Sequence, residues 1–176
     1  GAVREQARKV IELSAARNLM LGHTMYAQDH GGALIPGYDI TASAQGPNGE
    51  ALEFPETARY PWRLVPYLDN TIEQTVLVHQ RLDEVEQNGQ ISTYGVSVRP
   101  SFGINGEFVG GTWGGPYNGW LRGLGVTVLK RTEAMRPTDL IVFASARGGV
   151  TGDDRQFGHH MVQPAYGNGY NRSDIP

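Results

Sequence analysis

A long uninterrupted helical pattern over residues 2–29 constrains the fold of this chain more than any other feature. Apolar or small side chains recur there at the three- and four-residue spacing of one helix face; they are Val3, Ala7, Val10, Ile11, Ser14, Leu21, Gly22 and Met25. Asn18 interrupts this stripe. The pattern ends at His30-Gly31-Gly32, because glycine readily takes the left-handed backbone conformation that stops a helix. We therefore predict one continuous helix, with its stripe buried against strands from the second half of the chain.

The same helix is apolar on more than one side. Leu13, Leu19 and Met20 lie off the main stripe, and a chain this short offers no obvious second partner for them. A helix that packs on its own sheet through one face needs another covering for a second apolar face. We therefore predict that Leu13, Leu19 and Met20 form an assembly face, covered by neighbouring subunits.

The middle of the chain reads as loop and helix. Residues 33–61 carry scattered turn signals and are predicted to be loop, and Pro61 can open a short helix over residues 61–68. A second helix is predicted over residues 70–87, with Asn70 as its cap and Glu73 reaching back as in a capping box.

The second half changes to strand-like alternation. Three strands are predicted, over residues 94–102, 124–129 and 140–144, with a glycine-rich loop at 110–120 between them. A long helix, a helical middle and then strands indicate an α+β fold with antiparallel strands packed on the first helix. Residues 1–30 would form a helical spine, and residues 31–176 a globular head with extra short helices and long glycine-rich loops; the head would pack on the spine, so that the two make a single structural domain.

Composition excludes several classes of partner and site. The net charge is −3, and the Lys and Arg residues of positions 4–17 are interleaved with Glu5 and Glu12. A nucleic-acid surface requires a clustered basic face, so no nucleic-acid partner is predicted. The chain has no cysteine, which excludes a disulfide framework and thiolate metal sites. No stretch of the sequence has the roughly 18 consecutive apolar residues of a membrane span.

One cluster has metal-ligand chemistry. Asp153 and Asp154 precede His159 and His160; carboxylates suit calcium, whereas imidazoles suit zinc. This mixed set matches neither metal well, so we predict a polar surface loop without a joint metal site and no cofactor, with calcium as the alternative. The sequence has no nucleophile elbow, no His-Glu-x-x-His helix and no phosphate loop, which favours a non-catalytic protein.

An aromatic group lies in the glycine-rich loop 110–120. Trp113, Tyr117 and Trp120 would suit an exposed platform for a glycan or a partner protein, because aromatic side chains combine contact area with a polar group. The alternative is that these rings close the core beneath the loop.

Several motifs resemble one known family. Leu21-Gly22, Tyr26-Ala27-Gln28-Asp29 and Gly32-Ala33-Leu34-Ile35-Pro36 resemble the stretch that follows the membrane span in type II secretion pseudopilins, closest to the planctomycete and verrucomicrobial set. Residues 61–69 resemble the family's Trp, Leu-x-Pro-Tyr-Leu segment, residues 100–105 its Ser-Tyr-Gly-x-Asn motif, and residues 131–146 a later strand.

The resemblance implies a pilin-like fold, a long helix laid against an antiparallel sheet. It also implies a structural subunit of a type II secretion or pilus-like envelope assembly at the periplasmic face of the inner membrane, partnered by other pseudopilin subunits. The family's cleavage and methylation signature and its membrane helix are missing, and truncation of the N-terminal membrane helix is the expected reason. The family's His-rich C-terminal ending is missing too, for which a second truncation at the C-terminus is the expected reason. The alternative function is a secreted or periplasmic module that binds a glycan or a protein through loop 110–120.

Overall fold

The computed structural model describes residues 1–78, 86–87, 90–114, 125, 127–146, 148–149, 156–157 and 160–162. Helix α1 (Ala2–Asp29) is continuous, which confirms the predicted first helix. It ends as predicted, since Gly31 and Gly32 have φ values of 62° and 88°. The backbone N–H of Gly32 donates to the Ala27 carbonyl at 2.7 Å, which satisfies one of the carbonyls left free at a helix end.

Helix α2 (Tyr60–Leu64) continues into a 3₁₀ helix (Val65–Leu68), so the short helix predicted over residues 61–68 is confirmed. Each begins with a proline in its first turn, where the missing N–H has no helical partner to lose. Tyr60, Trp62 and Leu64 are completely buried. The Trp62 indole N–H donates to the Thr93 carbonyl at 2.8 Å, which ties this core segment to helix α3 (Thr93–Val98).

The second long helix predicted over residues 70–87 is wrong over residues 70–78 and 86–87, and residues 79–85 lie outside the described residues. Residues 71–78 form turns and bridges, and β2 (Glu86–Gln87) pairs antiparallel with β3 (Gln90–Ile91). Asp69 and Asn70 have left-handed φ values of 52° and 55°, so the backbone cannot enter a right-handed helix there. Ile72 and Val76 are buried within this turn region.

The other strands are short and pair two by two. Strands β4 (Phe102–Ile104) and β6 (Phe143–Ser145) are antiparallel, β1 (Tyr38–Asp39) and β5 (Thr112–Trp113) are parallel, and β7 (Gly148–Gly149) and β8 (Gln156–Phe157) are antiparallel.

The outcome for the three predicted strands is mixed. Residues 94–98 of the first strand lie in α3, and only the end of this strand belongs to β4. The Ser92 hydroxyl caps α3 by accepting a hydrogen bond from the Gly95 N–H at 3.1 Å. Strand 140–144 overlaps β6. In the region of the predicted strand 124–129, Val128 makes one isolated bridge, to Val109, and residues 124 and 126 lie outside the described residues.

Helix α1 packs mainly on the 3₁₀ helix, and also on α2 and β6. Gly22 permits this close approach, because a Cβ there would lie 2.9 Å from Leu68 Cδ2 and 3.3 Å from the Tyr67 carbonyl oxygen. The fold is therefore α+β, as predicted. Within the described residues, however, the sheets have two strands each, and α1 rests more on short helices than on a sheet.

Candidate assembly surface

The face of α1 that enters the core differs from the predicted one. Its buried residues are Ala15, Leu19, Gly22, His23 and Ala27. The predicted buried stripe was wrong except at Gly22: Val3, Val10, Leu21 and Met25 are 84 %, 59 %, 58 % and 49 % exposed, and Ala7 is exposed as well. Small residues let α1 approach the 3₁₀ helix closely. The buried face is therefore the one with alanine and glycine, and not the one with more aliphatic side chains.

The predicted assembly face is partly wrong for the same reason. Leu19 has no exposed surface and belongs to the intramolecular core, whereas Leu13 and Met20 are exposed. Helix α1 is nevertheless apolar on two sides, as the sequence indicated. The exposed apolar face is the stripe that contains Val10, Leu21 and Met25, and the sequence analysis had assigned that stripe to the core.

The N-terminal part of α1 is exposed. No residue before Ala15 is buried, and residues 1–11 are all exposed. At 1.5 Å per residue, residues 2–11 extend for about 15 Å. An ion pair between Lys9 and Glu5, with 2.8 Å between Nζ and Oε1, links neighbouring turns of this exposed segment.

The exposed stripe forms one wall of a groove of about 830 Å³. The α1 wall consists of Val10, Ile11, Ser14, Asn18, Leu21 and Met25. The opposite wall is the chain between Tyr67 and Thr75, which follows the 3₁₀ helix. Asn18, which interrupts the stripe in the sequence, therefore lies in an open groove that water can enter. A polar residue within the stripe was the sequence signal that this face is not core.

The second wall is held in an unusual backbone conformation. Asp69, Asn70 and Gln74 have φ values of 52°, 55° and 58°. The Gln74 N–H donates to the Leu77 carbonyl at 2.7 Å, and the Thr75 hydroxyl donates to the Thr71 carbonyl at 2.6 Å. Left-handed residues other than glycine are costly and persist where the surrounding structure fixes them. This wall is thus a defined surface, with the carboxylates of Asp69 and Glu73 exposed on it.

A second cleft, of about 630 Å³, lies at the other end of α1, and the sequence analysis did not find it. Tyr26 stacks on His30 with ring centroids 3.9 Å apart and meets Tyr67 edge-on at 5.7 Å. The buried Arg63 side chain also lines this cleft. Its Nη2 donates to the Pro36 carbonyl at 2.7 Å and to the Ala58 carbonyl at 3.2 Å.

Burial governs protonation in this cleft. It raises the pKa of Tyr26 and lowers the pKa of Arg63 to about 10. Arg63 remains protonated at neutral pH, and its hydrogen bonds to backbone carbonyls tie two loops to α2. Arg63 therefore has a structural role.

His23 faces the core from α1. Its ring lies edge-on to Phe143 of β6 with centroids 5.9 Å apart. Burial, together with the charge of Arg131, lowers the pKa of His23 to about 4. The imidazole is therefore neutral at neutral pH.

The glycine-aromatic loop is described as far as Gly114. Trp113 lies in β5, is half-buried, and donates its indole N–H to the Gly110 carbonyl at 3.2 Å. Gly110 and Gly111 have left-handed φ values of 68° and 76°, which explains the need for glycine at this turn. Tyr117 and Trp120 lie outside the described residues, so the aromatic platform stays a prediction.

The four metal candidates were predicted to lie in a polar surface loop, and this prediction is wrong for His160. His160 is only 1 % exposed; its carbonyl accepts the Ile104 N–H of β4 at 3.0 Å, and its ring lies 6.2 Å from that of Tyr38. Asp153, Asp154 and His159 lie outside the described residues. In the part of the chain that is described, no group of three metal-ligating side chains comes together.

Comparison with protein-family models, curated proteins and solved structures finds no match to this chain. The pseudopilin resemblance therefore rests on the sequence motifs alone. Among the described residues, no helix is both long and apolar enough to cross a bilayer.

Proposed function

We infer that this chain is a non-catalytic structural subunit of the pseudopilin type, which assembles with other pseudopilin subunits through α1 at the periplasmic face of the inner membrane. The observation that carries this proposal is the two-sided helix. One face, with Ala15 and Leu19, is buried in the chain's own core, while the opposite face presents Val10, Leu21 and Met25 to solvent.

The energetics favour a partner for the exposed face. Burying a large apolar side chain stabilises by about 1.5–3 kcal/mol relative to leaving it exposed. Val10 and Leu21 are each more than half exposed and lie along one groove. Single exposed apolar residues are ordinary, but an aligned series on one helix indicates an interaction surface. A pilin-like subunit, whose long helix packs beside those of its neighbours, would cover this series.

Photo-crosslinking in the cells that encode the protein tests the proposal. A photoreactive amino acid is placed at Val10 on the exposed apolar face, and at Lys9 on an adjacent polar face as the matched control. We expect the full-length protein in the envelope fraction to give adducts with its own copies or with other pseudopilins from position 10, and several-fold fewer from position 9.

A third variant, Leu21→Glu, reports on the surface itself. Leu21 is 58 % exposed, so the protein is expected to remain folded while the adducts from position 10 are lost. Equal adduct yields from positions 9 and 10, or recovery of the protein outside the envelope fraction, would contradict the proposed function.

A further inference from the structure

We propose that the groove between α1 and residues 67–75 receives the exposed N-terminal segment of α1 (residues 2–11) from a second copy of this chain. This inference rests on the proposed function and deepens it, because it names the partner and the direction of the contact. The groove binds the segment head to tail; the two copies do not present the same surface to each other.

The dimensions of the segment and the groove agree. The α1 wall of the groove runs from Val10 to Met25, which is about 22 Å along the helix axis, whereas residues 2–11 span about 15 Å. The segment is also accessible, since every residue from 1 to 11 is exposed.

The apolar surfaces match as well. Val3, Ala7 and Val10 follow one another at four- and three-residue spacing and so form one stripe on the segment. The groove offers Leu21 and Met25 as exposed apolar partners. Docking would therefore remove apolar surface from water on both copies, which is the main driving force of association.

Charge complementarity favours a second copy over an unrelated apolar helix. Arg4 and Arg8 lie one helical turn apart on a flank of the segment, and Asp69 and Glu73 are exposed on the far wall of the groove. Within the described part of one chain, none of these four side chains forms an ion pair. A segment docked in the groove can place its arginines near those carboxylates, and complementary charges of this kind fix register and orientation.

The contact has a consequence for assembly. The segment and the groove share only Val10 and Ile11, so a copy whose segment is docked still presents the rest of the groove, from Ser14 to Met25, which is about 16 Å along the helix axis. Such a heterologous contact propagates into a ring or an open filament and does not close as a two-fold dimer. A filament subunit requires this type of contact.

Disulfide crosslinking of the purified chain tests the direction of the contact, because the sequence has no cysteine of its own. One variant carries Val3→Cys on the segment, and another carries Thr71→Cys on the groove wall. When the two are mixed and oxidised, we expect a position 3 to position 71 disulfide at several-fold higher yield than either variant gives alone.

A charge-reversal cycle tests the register. Arg8→Glu and Glu73→Lys should each weaken self-association, measured by sedimentation velocity at low salt, by about fivefold. The double variant should restore it, because the pair is reversed and not removed. The matched control, Glu53→Lys, reverses an exposed carboxylate that does not line the groove and should leave association unchanged.

The outcomes separate the two proposals. Preferential disulfides between two position 3 cysteines, or failure of the double variant to restore association, overturn the groove contact and leave the proposed function standing. If Val10 also gives no specific photo-adducts in cells, the proposed function fails with it.

Discussion

Replacing Leu19 by Ala tests which face of α1 belongs to the core, and Leu13→Ala is its matched control on the same helix. Leu19 has 0 % exposed surface and Leu13 has 71 %. Truncating a fully buried Leu costs about 2–5 kcal/mol, because the transfer free energy is lost and a cavity remains. A surface truncation of this kind usually changes the free energy of unfolding by less than about 0.5 kcal/mol.

Thermal unfolding followed by circular dichroism measures this difference as a change in Tm. For a domain of this size, about 3 kcal/mol corresponds to a decrease in Tm of about 6–12 °C. We expect that decrease for Leu19→Ala and a change of less than about 2 °C for Leu13→Ala. Similar changes for both variants would refute the assignment of Leu19 to the core and of Leu13 to the surface.

The corresponding glutamate variants make the contrast sharper. The sequence analysis predicted that both residues lie on an assembly face, so that Leu13→Glu and Leu19→Glu would leave the chain folded. With Leu19 in the core, Leu19→Glu places a carboxylate in an apolar environment and should unfold the chain. Leu13→Glu should remain folded.

Three further predictions concern buried and strained groups. The pKa of His23 is about 4 in the folded state and about 6.5 in the unfolded state, so the unfolded state binds more protons at acidic pH. The free energy of unfolding should therefore fall by about 3 kcal/mol from pH 6.5 to pH 4. Urea titrations at each pH measure this loss, and His23→Leu should abolish it. The backbone of Gln74 has a φ of 58°, so Gln74→Gly should raise the free energy of unfolding by about 0.5–1 kcal/mol, whereas Gln74→Val should lower it. Thermal unfolding of both variants tests this, and a lower stability of the glycine variant would contradict backbone strain at this position. Tyr60→Phe removes a buried hydroxyl that donates to the Phe102 carbonyl at 2.6 Å and should cost about 1–2 kcal/mol in urea unfolding; no change would mean that the carbonyl finds another donor.

The local sequence determined the elements whose signals act over a few residues. The length of α1 and its end at Gly31-Gly32 follow from helical periodicity and from the freedom of glycine at positive φ, and the start of α2 follows from Pro61. These features depend on neighbouring residues alone, so no tertiary contact was needed to find them. The α+β class followed from the order of these elements and of the strand-like segments.

Tertiary structure decided which face of each segment is buried. Two stripes of α1 are apolar, and periodicity cannot rank them; the stripe with Ala15, Gly22 and Ala27 is buried because small residues let the 3₁₀ helix approach closely. Residues 71–78 form a turn because Asp69 and Asn70 hold the backbone in a left-handed conformation that no local periodicity predicts. The groove on α1 depends on both features: the aliphatic stripe of α1 is exposed, and the turn forms the wall that faces this stripe.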